Sequence, residues 1–373
     1  MKKKYVVCPD SFKGSLSGAG VSEAIEKGIL AYDPDAEVIK APIADGGEGT
    51  LDALIPTADR IKVSVRSTDG SVIEAEYGIL KDTAVIEMAT AAGLCLVDEE
   101  KRDPELASTY GVGQLILDAL DRGYRKIMLT VGGSGTNDGG SGLIEALGAR
   151  FLDKDGRCLS MCGGALAKIE RIDASELDER LKETEFTFAC DVKNTLVGET
   201  GATYVYGAQK GADAEMLKRL DAGMINYADK LLDASGRDVR NIAGCGAGGG
   251  MPASLLAFGN AKIESGIDSV LAAIDFEEML DGCSLVVTGE GKIDRQSAYG
   301  KAISGVAARA KRMNVPVLVL VGLKGEGADE LLSLGITKIS AIADIAPSAE
   351  YSMKHADILL TKLAHSELCE MKI

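Results

Sequence analysis

The chain has 373 residues, 46% hydrophobic and 26% charged, with a net charge of −16 and no Trp. A single core stops growing at about 250–300 residues, so this length predicts two domains. The negative balance excludes nucleic acid, whose binding rests on positive charge meeting phosphate. The absence of any apolar run of ~18 residues predicts no membrane span.

Scarce residue types narrow the chemistry further. The two histidines, His355 and His365, both fall near the C-terminus. Ser-His-Asp hydrolysis and His-ligated metal chemistry are thus unsupported over most of the chain. Eight scattered cysteines form no C-x-x-C pair, which argues against a disulfide framework and a zinc site and for inert thiols. Acid–base and metal work falls to carboxylates, whose hard oxygens favour Mg²⁺.

In chain order, the basic opening lacks the long apolar region of a signal peptide, which predicts a cytoplasmic protein. Residues 5–8 read as a buried strand. Val21, Ala24, Ile25, Ile29 and Tyr32 recur at helical spacing until Pro34, and a second strand is expected at 37–41. Residues 60–80 alternate apolar and polar around Asp69-Gly70, a hairpin signal. Runs 84–88, 127–131 and 186–190 read as strands, with a helix marked by Leu115, Ile116, Ala119 and Leu120. Runs 285–288, 317–321 and 336–342 are further strands, and Ile303, Val306, Ala307, Ala310 and Met313 form a helical stripe. Strands alternating with helices imply parallel βαβ units, and continuous apolar strands imply a sheet covered on both faces. The expectation is α/β: a doubly wound parallel-sheet domain built from 1–60 and 265–373, with a mixed α/β domain, 61–264, inserted.

Glycine clusters at strand ends carry the functional signal. Pro9-Asp10-Ser11-Phe12-Lys13-Gly14-Ser15 sits where the first strand meets a helix. Ligand crevices lie at the carboxyl ends of such strands, and helix-start amides bind anions; an ordinary loop with a capping Ser reads as well. Ala44-Asp45-Gly46-Gly47-Glu48-Gly49-Thr50 holds two carboxylates among three glycines, more than a turn requires. Residues 132–140, Gly-Gly-Ser-Gly-Thr-Asn-Asp-Gly-Gly, join a strand to a helix in a phosphate-cradling arrangement, although no Walker A loop occurs. Cys190-Asp191-Val192-Lys193-Asn194 ends a strand with an acid, a base and an amide; Asp191 either faces a cleft or caps a turn. Gln209 and Lys210 sit between glycines, alone a weak anion signal. Thr288-Gly289-Glu290-Gly291-Lys292 follows a buried strand, and Gly300-Lys301 opens a helix. The formal G-x-G-x-x-G within residues 244–250 lacks the preceding strand of a dinucleotide fingerprint.

In register, the blocks Asp10 to Ser15, Ala44 to Thr50, Gly132 to Gly140, Ala189 to Val192, Gln209 to Ala212 and Gly289 to Gly291 resemble the signature blocks of bacterial glycerate kinases. The match runs from about residue 5 to residue 345. Gly135 stands where that family tends to have Ala, Ala208 where Pro is usual, Pro252 where Gly is frequent and Lys292 where Arg often appears. The resemblance implies a flavodoxin-like domain with the second α/β domain inserted, ATP and Mg²⁺ dependence, and D-glycerate as substrate, with 2-phosphoglycerate favoured over 3-phosphoglycerate.

Phosphoryl transfer asks mainly for positioning and charge neutralisation. The expected nucleotide contacts are Gly132, Gly133, Ser134, Thr136, Asn137, Gly139, Gln209, Lys210 and Gly289. Asp45 and Glu290 are the expected metal ligands. Asp10, Ser11, Asp45, Lys193 and Lys301 are expected on glycerate, with Asp191 and Lys13 catalytic. An ordinary Asp is a weak base at neutral pH, but serves where proton transfer is late. Two rival readings are an NAD(P)-dependent oxidoreductase of a small hydroxy acid and a non-catalytic small-acid binding protein.

Overall fold

The computed structural model describes residues 2–295 and 302–372. The chain forms two compact units, one of Met1–Asp45, Asp52–Leu54 and Gly266–Ile373, the other of Gly46–Leu51 and Ile55–Ser265.

The first unit is built on five parallel strands in the spatial order Lys338–Ala341, Val317–Val321, Cys283–Thr288, Lys4–Val7, Glu37–Lys40. Numbered within the unit, this is the flavodoxin-like order 2-1-3-4-5, whose topological switch point lies between its first and third strands. Those strands are Lys4–Val7 and Cys283–Thr288. Their continuous apolar sequences follow from burial on both faces. Tyr5, Val7, Leu285, Leu318 and Leu320 meet helices Gly18–Tyr32 and Ala356–Met371 on one side, while the alternate residues Val6, Val286, Val317 and Val319 are buried too. Burying each such side chain contributes about 1.5–3 kcal/mol. The two helices approach closely at Gly28, where a Cβ would lie 2.6 Å from the Thr361 carbonyl oxygen. Ser17 caps the Gly18–Tyr32 helix by accepting from Gly20 N.

The second unit carries a mixed six-stranded sheet. Asn260–Glu264, Glu185–Ala189, Lys126–Thr130 and Thr83–Glu87 are parallel, in that spatial order. Val72–Leu80 and Arg60–Arg66 extend it antiparallel as the expected hairpin. At the hairpin turn, Asp69 Oδ1 accepts from Ser71 N and Oγ, and Gly70 has φ 84. A small antiparallel sheet of Arg150–Leu152, Cys158–Leu159 and Arg171–Asp173, and the long helix Ala214–Ser235, complete the unit. Among the described residues, no helix is long and apolar enough to cross a membrane.

Candidate active site

In the first unit, both strands at the switch point end in chemistry-bearing loops. Asp10 N donates to Gly289 O at 2.8 Å, and Thr288 Oγ1 donates to Cys8 O at 2.7 Å, so the two loops leave the sheet laced together. Gly289 is obligatory there, because a Cβ would overlap the Leu320 carbonyl oxygen on the neighbouring strand. Close backbone packing is therefore why this position, expected on the nucleotide, is glycine. The lacing sets Glu290 and Gly291 beside Asp10, Ser11 and Lys13, on a cavity of about 470 Å³ that Asp45 and Lys292 also line.

The electrostatics of that cavity are mixed. Burial pushes the Asp10 carboxyl above the usual range. The Ser11 amide, 2.6 Å from Asp10 Oδ1, pulls it back, the negative charge of Asp45 raises it and Lys13 lowers it. Two carboxyls thus sense each other at one cavity. Among the described residues, no group of three or more His, Cys, Asp or Glu side chains is arranged to hold a metal by itself. Mg²⁺ does not require one, since it takes one or two protein carboxylates and completes its shell with phosphate and water oxygens. The hard-oxygen donors Asp45 and Glu290 fit that demand. Lys301, expected on the substrate, lies outside the described residues.

In the second unit, the candidate groups follow the carboxyl ends of the parallel strands. The 132–140 turn leaves Lys126–Thr130, and its first three residues are partly open while the rest are buried. Gly132 permits close approach: a Cβ would sit 2.6 Å from Glu48 N. Gly133 has φ 68, and its carbonyl accepts from Leu94 N at 2.8 Å. Gly132, Gly133 and Ser134 are the members open to a ligand. Asp191 and Lys193 are exposed just beyond Glu185–Ala189, and Gln209 is exposed as well.

Thr136, Asn137, Gly139 and Lys210, also expected on the nucleotide, are turned into the interior. Asn137 Nδ2 donates to Thr203 Oγ1 at 3.0 Å, and Lys210 Nζ donates to Thr136 O at 2.6 Å. Gly139 N donates to Gly249 O at 3.0 Å. Beside them, buried Asp138 accepts from Thr109 N, Thr109 Oγ1, Gly140 N and Gly142 N. These groups build the turn from beneath.

Glu87 escaped the sequence reading, while Glu48, one of the two carboxylates read among the glycines of 44–50, gains a setting. Buried Glu87, at the end of its strand, accepts from Gly49 N at 3.0 Å and Leu51 N at 3.1 Å, tying the glycine loop of 46–51 to the sheet. Glu48 is exposed, and its carboxylate oxygen would lie 3.0 Å from a Cβ on Gly133. An acid closing the otherwise apolar run Ala-Val-Ile was the available signal for Glu87. The glycines of 244–250 also gain an account. No strand precedes them, and a Cβ on Gly249 would overlap the Thr136 carbonyl oxygen. Gly249 and Gly250 pack against the 132–140 turn, and the missing strand removes the basis of the dinucleotide reading.

Comparison with known proteins decides the family. The model of the glycerate kinase family matches residues 5–371. The chain belongs to the glycerate kinase family. It is 42% identical over 365 residues to a glycerate kinase of Halalkalibacterium halodurans, covering 97% of this chain and 96% of that relative. It is 46% identical over 323 residues to the glycerate 2-kinase of Escherichia coli strain K12, covering 86% and 85%. A crystal structure described as a glycerate kinase 2 of Salmonella typhimurium LT2 superposes with a TM-score of 0.90 at 40% identity, covering 100% of this chain and 99% of that one. The activity is accordingly ATP-dependent phosphorylation of glycerate, with ATP and glycerate as small-molecule partners.

Proposed function

We propose that this glycerate kinase moves the γ-phosphoryl group of ATP to the 2-hydroxyl of D-glycerate, giving 2-phosphoglycerate, in the cytoplasm. The observation that carries the regiochemistry is the 46% identity to a relative named glycerate 2-kinase. Asp191 accepts the proton of the attacking hydroxyl, so that the oxygen gains electron density as its bond to phosphorus forms. Lys13 neutralises charge on the transferring group. The amides of Gly132, Gly133 and Ser134 receive anionic phosphate oxygens, and the buried groups Thr136, Asn137, Gly139 and Lys210 hold that turn in shape; Gln209 lies open to the same nucleotide. Asp10, Ser11, Lys193 and Lys301 orient glycerate. Asp45 and Glu290 would hold Mg²⁺, which when bound offsets negative charge on the phosphates.

The test is phosphorus NMR of the product formed from Mg-ATP and D-glycerate. The resonance of 2-phosphoglycerate is expected, and that of 3-phosphoglycerate would overturn the regiochemistry.

A further inference from the structure

An acid lies on the 132–140 turn of the second unit. The turn's open members are Gly132, Gly133 and Ser134. A Cβ on Gly132 would meet Glu48 N at 2.6 Å and Gly47 Cα at 2.9 Å, so glycine at 132 is what admits the backbone of Gly47 and Glu48 against the turn. A Cβ on Gly133 would stand 3.0 Å from Glu48 Oε2 and 3.3 Å from Glu48 Cδ, so the carboxyl group itself rests on that residue. Among the described residues, no hydrogen bond or ion pair engages the Glu48 carboxylate, and the residue is exposed.

The backbone around it is pinned. Buried Glu87 accepts from Gly49 N on one oxygen and from Leu51 N on the other. Thr50 Oγ1 donates to Gly47 O at 2.7 Å. Both flanks of Glu48 are thus fixed to the unit, while its own side chain is left open.

An acid is the wrong neighbour for a bare anion. Phosphate at the 132–134 amides and the Glu48 carboxylate carry like charge and repel. A turn serving an anion alone calls for a basic side chain at this spot. A divalent cation reverses the sign, because it attracts both groups. Mg²⁺ takes one or two carboxylates and fills its octahedral shell with phosphate and water oxygens, so one held carboxylate is a sufficient protein share. Asp45 and Glu290, the acids assigned to the metal above, line the cavity of the first unit. Glu48 is the carboxylate that the second unit brings to its own turn.

We propose that Glu48 is a ligand of the divalent cation carried by the nucleotide phosphates. The assignment rests on the reading that the 132–134 amides receive phosphate.

The test is calorimetric titration of the wild-type protein and Glu48→Gln with ADP, once with Mn²⁺ as the probe metal and once with EDTA. Glu48→Gln is expected to raise the Kd for Mn-ADP about tenfold or more. Its Kd for metal-free ADP is expected to fall or stay level, because a repelling charge has gone, and its melting temperature to match wild type. Glu48→Lys, which reverses the charge, is expected to widen the contrast. Weakening of equal size with and without metal marks a structural role and overturns the assignment. Unchanged Kd values in both conditions mark a solvated loop acid and overturn it as well. Failure of the underlying reading looks different: metal-free ADP would then leave the amide resonances of Gly132, Gly133 and Ser134 unmoved in the wild-type protein, which overturns both.

Discussion

The Lys210 ammonium lies inside the second unit and donates to the Thr136 carbonyl oxygen at 2.6 Å. Burial holds it down to about 7 from the ordinary lysine value, while the nearby Asp138 carboxyl pulls it upward. Asp138 is itself raised by burial, against the hydrogen bonds from Thr109, Gly142 and Gly140. A buried amine and a buried carboxyl thus share the underside of the 132–140 turn, and the turn keeps its shape because its carbonyls and amides have fixed partners.

A stability profile follows from that depression. The unfolded chain holds the Lys210 proton up to the ordinary value, whereas the folded chain releases it from about 7. The unfolded state binds more protons in between, so this group makes stability rise with pH across that window. Lys210→Met lacks the group. From pH 6.5 to 9.5 the wild-type protein should gain stability relative to Lys210→Met, with a slope of at most about 1.4 kcal/mol per pH unit. Melting temperatures of both proteins across the range check it, and parallel profiles would refute it.

Gly289 and Gly291 make a paired prediction. A Cβ on Gly289 would overlap the Leu320 carbonyl oxygen, whereas one on Gly291 would rest 3.4 Å from Phe12 Cα, an ordinary contact. Gly289→Ala must push the Val317–Val321 strand aside and should lose about 1–3 kcal/mol or more. Gly291→Ala should stay within about 0.5 kcal/mol of wild type. Urea denaturation of both variants measures the contrast.

Glu87 uses separate oxygens for two amides, Oε1 for Gly49 N and Oε2 for Leu51 N. Glu87→Gln turns an amide –NH₂ toward one of those N–H groups and leaves it without an acceptor. The expected loss is about 1–3 kcal/mol, because a buried donor stripped of its partner forfeits its solvation. Chemical denaturation reads the loss, and faster amide exchange at Gly49 and Leu51 distinguishes this cause from general loosening.

These residues also show what the sequence could and could not convey. Runs such as Val-Leu-Val-Leu-Val at Val317–Val321 declare a doubly covered strand, and Asp69-Gly70 declares its hairpin. Asn260–Glu264, reading Asn-Ala-Lys-Ile-Glu, did not, because an edge strand is half solvated and keeps polar residues. The strands of the small sheet are two or three residues long, too short for any period to register. For the site, glycine clusters after strands were legible because close backbone approach requires glycine. The direction of each side chain was not. Lys210 and Asn137 read as ligand-facing groups, yet they point inward, since a turn rich in carbonyls and amides needs buried partners as much as it needs a ligand.

Asp191 carries the sharpest functional prediction. It stands exposed immediately beyond the Glu185–Ala189 strand, after buried Cys190, whose amide donates to Glu264 O at 2.9 Å. The backbone leading into Asp191 is thus fixed by the sheet while its carboxylate remains accessible. A carboxylate that accepts the hydroxyl proton loses that capacity on conversion to the isosteric amide, whereas a carboxylate that only caps the loop is largely replaced by it. Asp191→Asn should lower kcat by about 10²–10⁴-fold. The Kd for an ATP analogue and the melting temperature should stay near wild type, because the amide preserves shape and hydrogen bonding. Steady-state kinetics with D-glycerate, set beside calorimetric titration of the analogue, separate the two roles. An Asp191→Asn protein retaining a tenth or more of wild-type kcat would remove Asp191 as the base, and full activity in Asp191→Ala would exclude any role in turnover.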